Sequence, residues 1–202
     1  MRLGRTERAR HTSAMTAGVG LVSAFRSKQE HLYWEQTPVG NGGLRIAEVI
    51  QRETVDLNLQ GIHDKDELIR YLVGLLYQAG KLGSEEEFLL AVQEREAMGP
   101  TYMEYEIAIP HGKSPAVLQA GVAFGRSVEG IWYQTEHGGG VARLIFLLAI
   151  PDQMSPDDYM AVLARLARLL VHEEFREALH AAETYEDVLR AVEQGESLLE
   201  KV

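Results

Sequence analysis

The chain has no cysteine in 202 residues, which excludes disulfides, thiolate metal sites and a cysteine nucleophile together. Positive charge is scarce as well. Twenty Lys and Arg stand against thirty Asp and Glu, for a formal charge of -10, so the net field repels nucleic acid and anionic membrane surfaces alike. No apolar run is long enough to cross a bilayer; the longest, 141–150, is broken by Arg143. There is no Walker loop and no dinucleotide fingerprint, so ATP held in a P-loop is not the expected phosphoryl donor. The segment His137, Gly138, Gly139, Gly140 matches the oxyanion loop of lipases in outline. With no Gly-x-Ser-x-Gly elbow to serve it, it reads as a strand connection. His172-Glu173-Glu174 lacks the second histidine of a zinc helix, and His63, His111 and His180 have no ligand spacing, so no metal is expected.

What remains is ample for one domain. Hydrophobic residues make up 46% of the chain, enough for a single core. Residues 1–30 differ from the rest, with six basic side chains against two acidic ones. Residues 1–43 are expected to be a flexible extension rather than an export signal, because the segment 15–25 is too poor in apolar residues. Leu32, Tyr33 and Trp34 allow a short strand, and the glycines of 39–43 read as a linker. The globular part is expected over 44–202. Its periodicity predicts a short helix over 44–50, a strand over 54–59, and a helix opened by Asp64 with Glu67 and stopped by Gly80. A helix opened by Ser84 with Glu87 follows, running to about Glu94. Ser114 with Pro115 predicts another short helix. Strands over 121–124 and 141–150 precede helices started by Ser155-Pro156 and by Thr184 with Asp187. Interleaved helices and strands predict an α/β fold, a three-layer α/β/α sandwich around a mixed β-sheet.

The chemistry-bearing segment is Ile107, Ala108, Ile109, Pro110, His111, Gly112 and Lys113. An imidazole is a competent nucleophile near neutral pH and can hold a phosphoryl group as a labile N–P bond. Here it stands between a proline that directs the backbone and a glycine that would let an anion approach main-chain amides. Arg95, Glu96, Pro100 and Thr101 precede it, bringing a guanidinium that matches phosphate oxygens and a hydroxyl that can add a hydrogen bond. Amides at the start of the helix expected at Ser114 would face the same place.

These segments, with Ala79-Gly80-Lys81 and the strand Leu144, Ile145, Phe146, Leu147, Leu148, Ala149, resemble the type-2 enzyme IIA domains, the fructose and mannitol class, of the bacterial phosphoenolpyruvate-dependent sugar phosphotransferase system. The resemblance runs from about residue 44 to 194. It implies a cytoplasmic phosphocarrier needing no cofactor: His111 accepts a phosphoryl group from the carrier protein HPr and passes it to an enzyme IIB component, and indirectly serves the membrane enzyme IIC. It further implies that Arg95 and Thr101 orient phosphoryl oxygens while amides near Gly112 and Lys113 complete the cradle. Members of the class commonly carry a second histidine early in the helix after the long apolar strand, where this chain has Tyr159. A tyrosine keeps one hydrogen bond there but no positive charge. A second expectation on the same fold is a regulatory interaction module that reports carbon or nitrogen status, or a degenerate member without a transport role, marked by Tyr159.

Overall fold

The computed structural model describes residues 44–135 and 138–200. The expectations for 1–43 and for His137 lie outside the described residues. In chain order the elements are α1 (Ile46–Val49), β1 (Ile50–Asp56), α2 (Lys65–Gln78), α3 (Glu85–Ala97), β2 (Tyr102–Met103), β3 (Ile107–Ala108), β4 (His111–Ser114), β5 (Gly121–Tyr133), β6 (Gly140–Pro151), α4 (Pro156–Val171), α5 (Glu173–Ala181) and α6 (Tyr185–Leu199).

Helix starts follow the sequence signals closely. Asp64 accepts from the amides of Asp66 and Glu67, Ser84 from Glu87, and Ser155 from Asp158, while Thr184 and Asp187 close a reciprocal capping box. Each such cap is worth about 1 kcal/mol. Gly80 takes φ 72°, the left-handed conformation that ends α2 without a Cβ penalty.

Strand limits depart more. The helix expected over 44–50 shrinks to one turn, since Ile50 already belongs to β1, and β1 stops at Asp56 rather than 59. The helix expected at Ser114 does not form. Ser114 ends β4, and its Oγ and carbonyl accept from the amides of Ala116 and Val117 in a turn, a side-chain-to-backbone bond that serves a turn as readily as a helix cap. The strand expected over 121–124 is instead the thirteen-residue β5, bulged between Arg126 and Ile131 where it pairs with β6.

The six strands form one mixed sheet in the order β1-β5-β6-β3-β2, with β4 also on β6. β6 is its axis. Leu144, Phe146, Leu148 and Ile150 pack on one face with α4, α5 and α6, whereas Ile145, Leu147 and Ala149 pack on the other with α2 and α3. This alternation, with both faces covered, makes the continuous apolar run of β6 a central strand. The result is the expected three-layer α/β/α sandwich.

β3 and β4 are one strand interrupted. Ile107 faces Leu144 and His111 faces Leu148, four residues on in both strands, so the parallel register carries through Pro110 unbroken. The Pro110 carbonyl still accepts from Leu148 at 3.0 Å, but proline has no N–H for the ladder. The histidine therefore opens the second half of the strand.

Candidate functional site

His111 lies at the strand break with 4% of its surface exposed. Both ring nitrogens are engaged. Nδ1 lies 2.8 Å from the carbonyl of Ile109 and must donate, because a carbonyl only accepts. Nε2 accepts from Nε–H of Arg95 at 2.9 Å. The two bonds define one tautomer, with the proton on Nδ1 and the lone pair on Nε2. Burial and then the Arg95 cation push the imidazole pKa down to about 4, with the Ile109 carbonyl opposing them. At neutral pH the ring is uncharged and nucleophilic.

Local structure explains how these groups meet. The Ile109 amide donates to the Thr101 carbonyl at 3.0 Å, which carries the β2 pairing one residue beyond β3. The Ile109 carbonyl then serves the imidazole. Arg95 stands in the last turn of α3, its Nη1 donating to the Gly99 carbonyl at 3.0 Å, so the guanidinium is braced while it spans to the histidine. Tyr159, in the first turn of α4, sets its ring 5.8 Å from the imidazole at 57°. The position inferred for the missing histidine is thus beside His111 in space.

Three expected site residues do other work in this geometry. A Cβ on Gly112 would stand 2.9 Å from Val92 Cγ2 and 3.1 Å from the Val92 amide nitrogen, so the glycine lets α3 close onto β4. The missing Cβ therefore makes room for the helix, a packing reason beside the anion approach expected from sequence. Lys113 is exposed, and its Nζ donates to the Met154 carbonyl at 2.9 Å, tying β4 to the loop before α4. Thr101 is buried; its hydroxyl donates to Glu96 Oε1 and lies 3.1 Å from the Tyr133 hydroxyl. To serve a phosphoryl oxygen directly it would have to give up a charge-assisted bond.

Sequence reasoning missed Glu96 and Tyr133. Glu96 was in view beside Arg95, and its five-residue spacing to Thr101 was the available signal. Nothing in the sequence singled out Tyr133, which joins the group through the long β5. Burial and the neighbouring Glu96 carboxylate raise the Tyr133 pKa, keeping the phenol protonated. Among the described residues no cluster of His, Asp and Glu has the arrangement of a metal site, and no helix is long and apolar enough to cross a membrane.

Fold and site together define an α/β domain in which a neutral imidazole meets an arginine at its lone pair. The chain belongs to the family described as "Phosphoenolpyruvate-dependent sugar phosphotransferase system, EIIA 2", which matches residues 48–195. It is 32% identical over 151 residues to the PTS system fructose-specific EIIABC component of Bacillus subtilis, a match covering 75% of this chain and 23% of that protein. The chain thus spans about a quarter of the length of that relative. Among solved structures it is similar to the nitrogen regulatory protein IIA-Ntr of Neisseria meningitidis, with TM-score 0.65 and 27% identity over 73% of this chain and 98% of that one. It also resembles enzyme IIA-mannitol of Escherichia coli, solved in complex with phosphorylated enzyme IIB-mannitol, with TM-score 0.58 and 26% identity over 72% and 99%. Membership makes it a phosphotransferase-system component in general terms.

Proposed function

We propose that this chain is a cytoplasmic phosphocarrier that accepts a phosphoryl group on His111 from phospho-HPr and passes it to an enzyme IIB component, which acts with a membrane IIC partner in sugar uptake. The observation that carries the reading is the tautomer: Nδ1–H held by Ile109 and an Nε2 lone pair facing Arg95.

In the transfer the Nε2 lone pair forms the N–P bond as the donor's N–P bond breaks, and the bonding pair returns to the donor nitrogen. No proton need leave His111. Arg95 Nε–H occupies the attacking lone pair at rest, so the guanidinium shifts to the phosphoryl oxygens as phosphorus arrives. A loose transition state asks chiefly for alignment and charge stabilisation, which an arginine fork supplies without any cofactor. Tyr159 and the main chain near Gly112 and Lys113 border the incoming group.

Incubation with phosphoenolpyruvate, enzyme I and HPr is expected to add one acid-labile, base-stable phosphoryl group, seen by intact mass. His111→Ala is expected to abolish it. Undiminished phosphorylation of that variant would sink the assignment. The likeness to a nitrogen regulatory IIA protein, together with a neutral Tyr159, favours as second reading a regulatory module in which the phosphorylation state of His111 governs a protein partner instead of a sugar. A phosphorylated chain that transfers to no enzyme IIB would select it.

A further inference from the structure

We propose that Glu96 is a positioning residue for His111, acting through Thr101 and Ile109 to hold the imidazole in the tautomer that keeps Nε2 available to phosphorus. The inference rests on the phosphocarrier reading for its kinetic consequence but not for its structural one.

Glu96 is buried, and burying a carboxylate costs several kcal/mol unless partners surround it. Its surroundings are incomplete. Oε2 faces Lys65 Nζ at 3.5 Å but accepts no hydrogen bond, and Lys65 is shared with the Tyr133 ring, 5.5 Å from its centroid. As a stability device the pair is poor. What Glu96 does complete is a chain of four residues. Its Oε1 takes the Thr101 hydroxyl proton, and the Tyr133 hydroxyl braces the same oxygen of Thr101. Thr101, so fixed, presents its carbonyl to the Ile109 amide at 3.0 Å. Ile109, fixed in turn, presents its carbonyl to Nδ1–H at 2.8 Å.

Arg95 is the preceding residue on α3 and holds the other nitrogen directly. Two adjacent side chains thus address both nitrogens of one ring, Arg95 in one step and Glu96 through two intervening residues. The arrangement matters because a neutral imidazole has two tautomers, and the wrong one places a proton on Nε2. That tautomer would also turn an N–H toward the Arg95 N–H, donor against donor. A carbonyl anchored from Glu96 selects against it before any partner arrives.

The test uses the full chain labelled with 15N-histidine, with His111 assigned by difference from His111→Ala. At pH 7 the parent ring is expected to show a protonated Nδ1 and a bare Nε2. Thr101→Val removes the hydroxyl at constant shape, and Glu96→Gln removes the charge at constant volume. Each is expected to move both ring shifts toward a tautomer mixture and to slow phosphorylation by phospho-HPr about tenfold, equivalent to one hydrogen bond of ~1.4 kcal/mol. Thr101→Ser is expected to restore both readouts, and the double variant to be no slower than the slower single one, because the links are in series. Ring shifts unchanged in both variants, or a lowered melting temperature as the sole effect, would overturn the proposal. Should Thr101→Val fail to fold, Glu96→Gln alone decides. If the ring shifts move as expected but even the parent accepts no phosphoryl group, the phosphocarrier reading fails and the positioning role stands.

Discussion

Two buried glutamates show how differently one fold treats charge. Glu196, fully buried on α6, is closed on all sides: Oε1 accepts from the Ile46 amide at 2.7 Å, Oε2 from Ala47 at 3.4 Å, and the Arg45 and Arg165 guanidinium groups lie at 3.4 and 3.6 Å. It supplies the cap that the one-turn α1 lacks from its own Arg45 and joins the first and last described helices. Glu96 instead keeps one oxygen without a hydrogen bond and stands one residue from the arginine that holds His111. Both oxygens of Glu196 accept a hydrogen bond, whereas Glu96 Oε2 accepts none. Buried ion pairs add little net stability over apolar packing, yet removing one partner is severe because the other charge is stranded.

The largest effect that would break the comparison is therefore on stability. Glu196→Ala is expected to cost about 3–5 kcal/mol by leaving buried Arg165 only Glu200, at 3.8 Å, and the α1 amides without acceptors. Denaturant unfolding measures it, and the phosphoryl-transfer rate of the folded fraction should be unchanged. A loss below ~1 kcal/mol would show that Glu196 is not the closed structural site described.

Next in size is the acid response of the functional region. The folded pKa of His111, about 4, lies below its unfolded value of roughly 6.5. Between those values the unfolded chain takes up a proton and the folded chain does not. His111 therefore contributes little pH slope above about pH 7.5, but destabilises progressively as pH falls through about 6.5 to 4, by up to ~3 kcal/mol. His111→Gln, which cannot titrate, is expected to lose correspondingly less stability than the parent between pH 7 and pH 4.5. Parallel losses would mean the ring is protonated in the fold.

Arg95 sharpens the contrast through kinetics. Arg95→Lys keeps a cation but loses the planar fork and the paired bonds to Nε2 and the Gly99 carbonyl. Transfer from phospho-HPr is expected to slow by about 30-fold, equivalent to roughly 2 kcal/mol, with the melting temperature nearly unchanged. Unchanged transfer would take Arg95 out of the site, and an unfolded variant would give it the structural role assigned to Glu196.

Legibility in the sequence followed the range of the interaction. Caps at Asp64, Ser84, Ser155 and Thr184 are local, and all four mark true helix starts. The continuous apolar run of β6 is local too, and it lies at the sheet's centre. Ser114-Pro115 carried a good helix signal, but pairing with β6 held Ser114 in a strand. That is tertiary override of a local preference. The Tyr105 and Glu106 turn, with φ 62° and 60° at two non-glycine residues, could not be read at all. Its backing comes from Arg176 over the Tyr105 ring and Arg143 on Glu106, which are distant in sequence. At the site, sequence reasoning grouped Arg95 with His111, and the structure brings the two side chains together at 2.9 Å. Thr101 was placed in the right neighbourhood, but its bond to Glu96 could not be read, since only the fold shows Glu96 turned toward it.

Tyr159 gives the smallest expected effect and the finest discrimination. Its ring lies beside the imidazole, while its backbone amide closes the first turn of α4 on the Ser155 carbonyl at 3.0 Å. The residue is therefore held by the helix whatever its side chain does. If the phenol meets a phosphoryl oxygen, Tyr159→Phe removes one hydrogen bond and leaves packing intact, slowing phosphorylation by about threefold to tenfold. Tyr159→His adds a group that can become cationic next to a developing phosphate, so it is expected to match or exceed the parent rate. The two substitutions separate chemistry from shape, because phenylalanine keeps the ring and loses the donor while histidine keeps a donor and changes the ring. Initial rates from phospho-HPr, with folding checked by circular dichroism, provide the measurement. A Tyr159→Phe rate equal to the parent's would make Tyr159 a packing residue, placing it with the closed structural regions of the molecule and leaving Arg95 to meet the phosphoryl charge without its help.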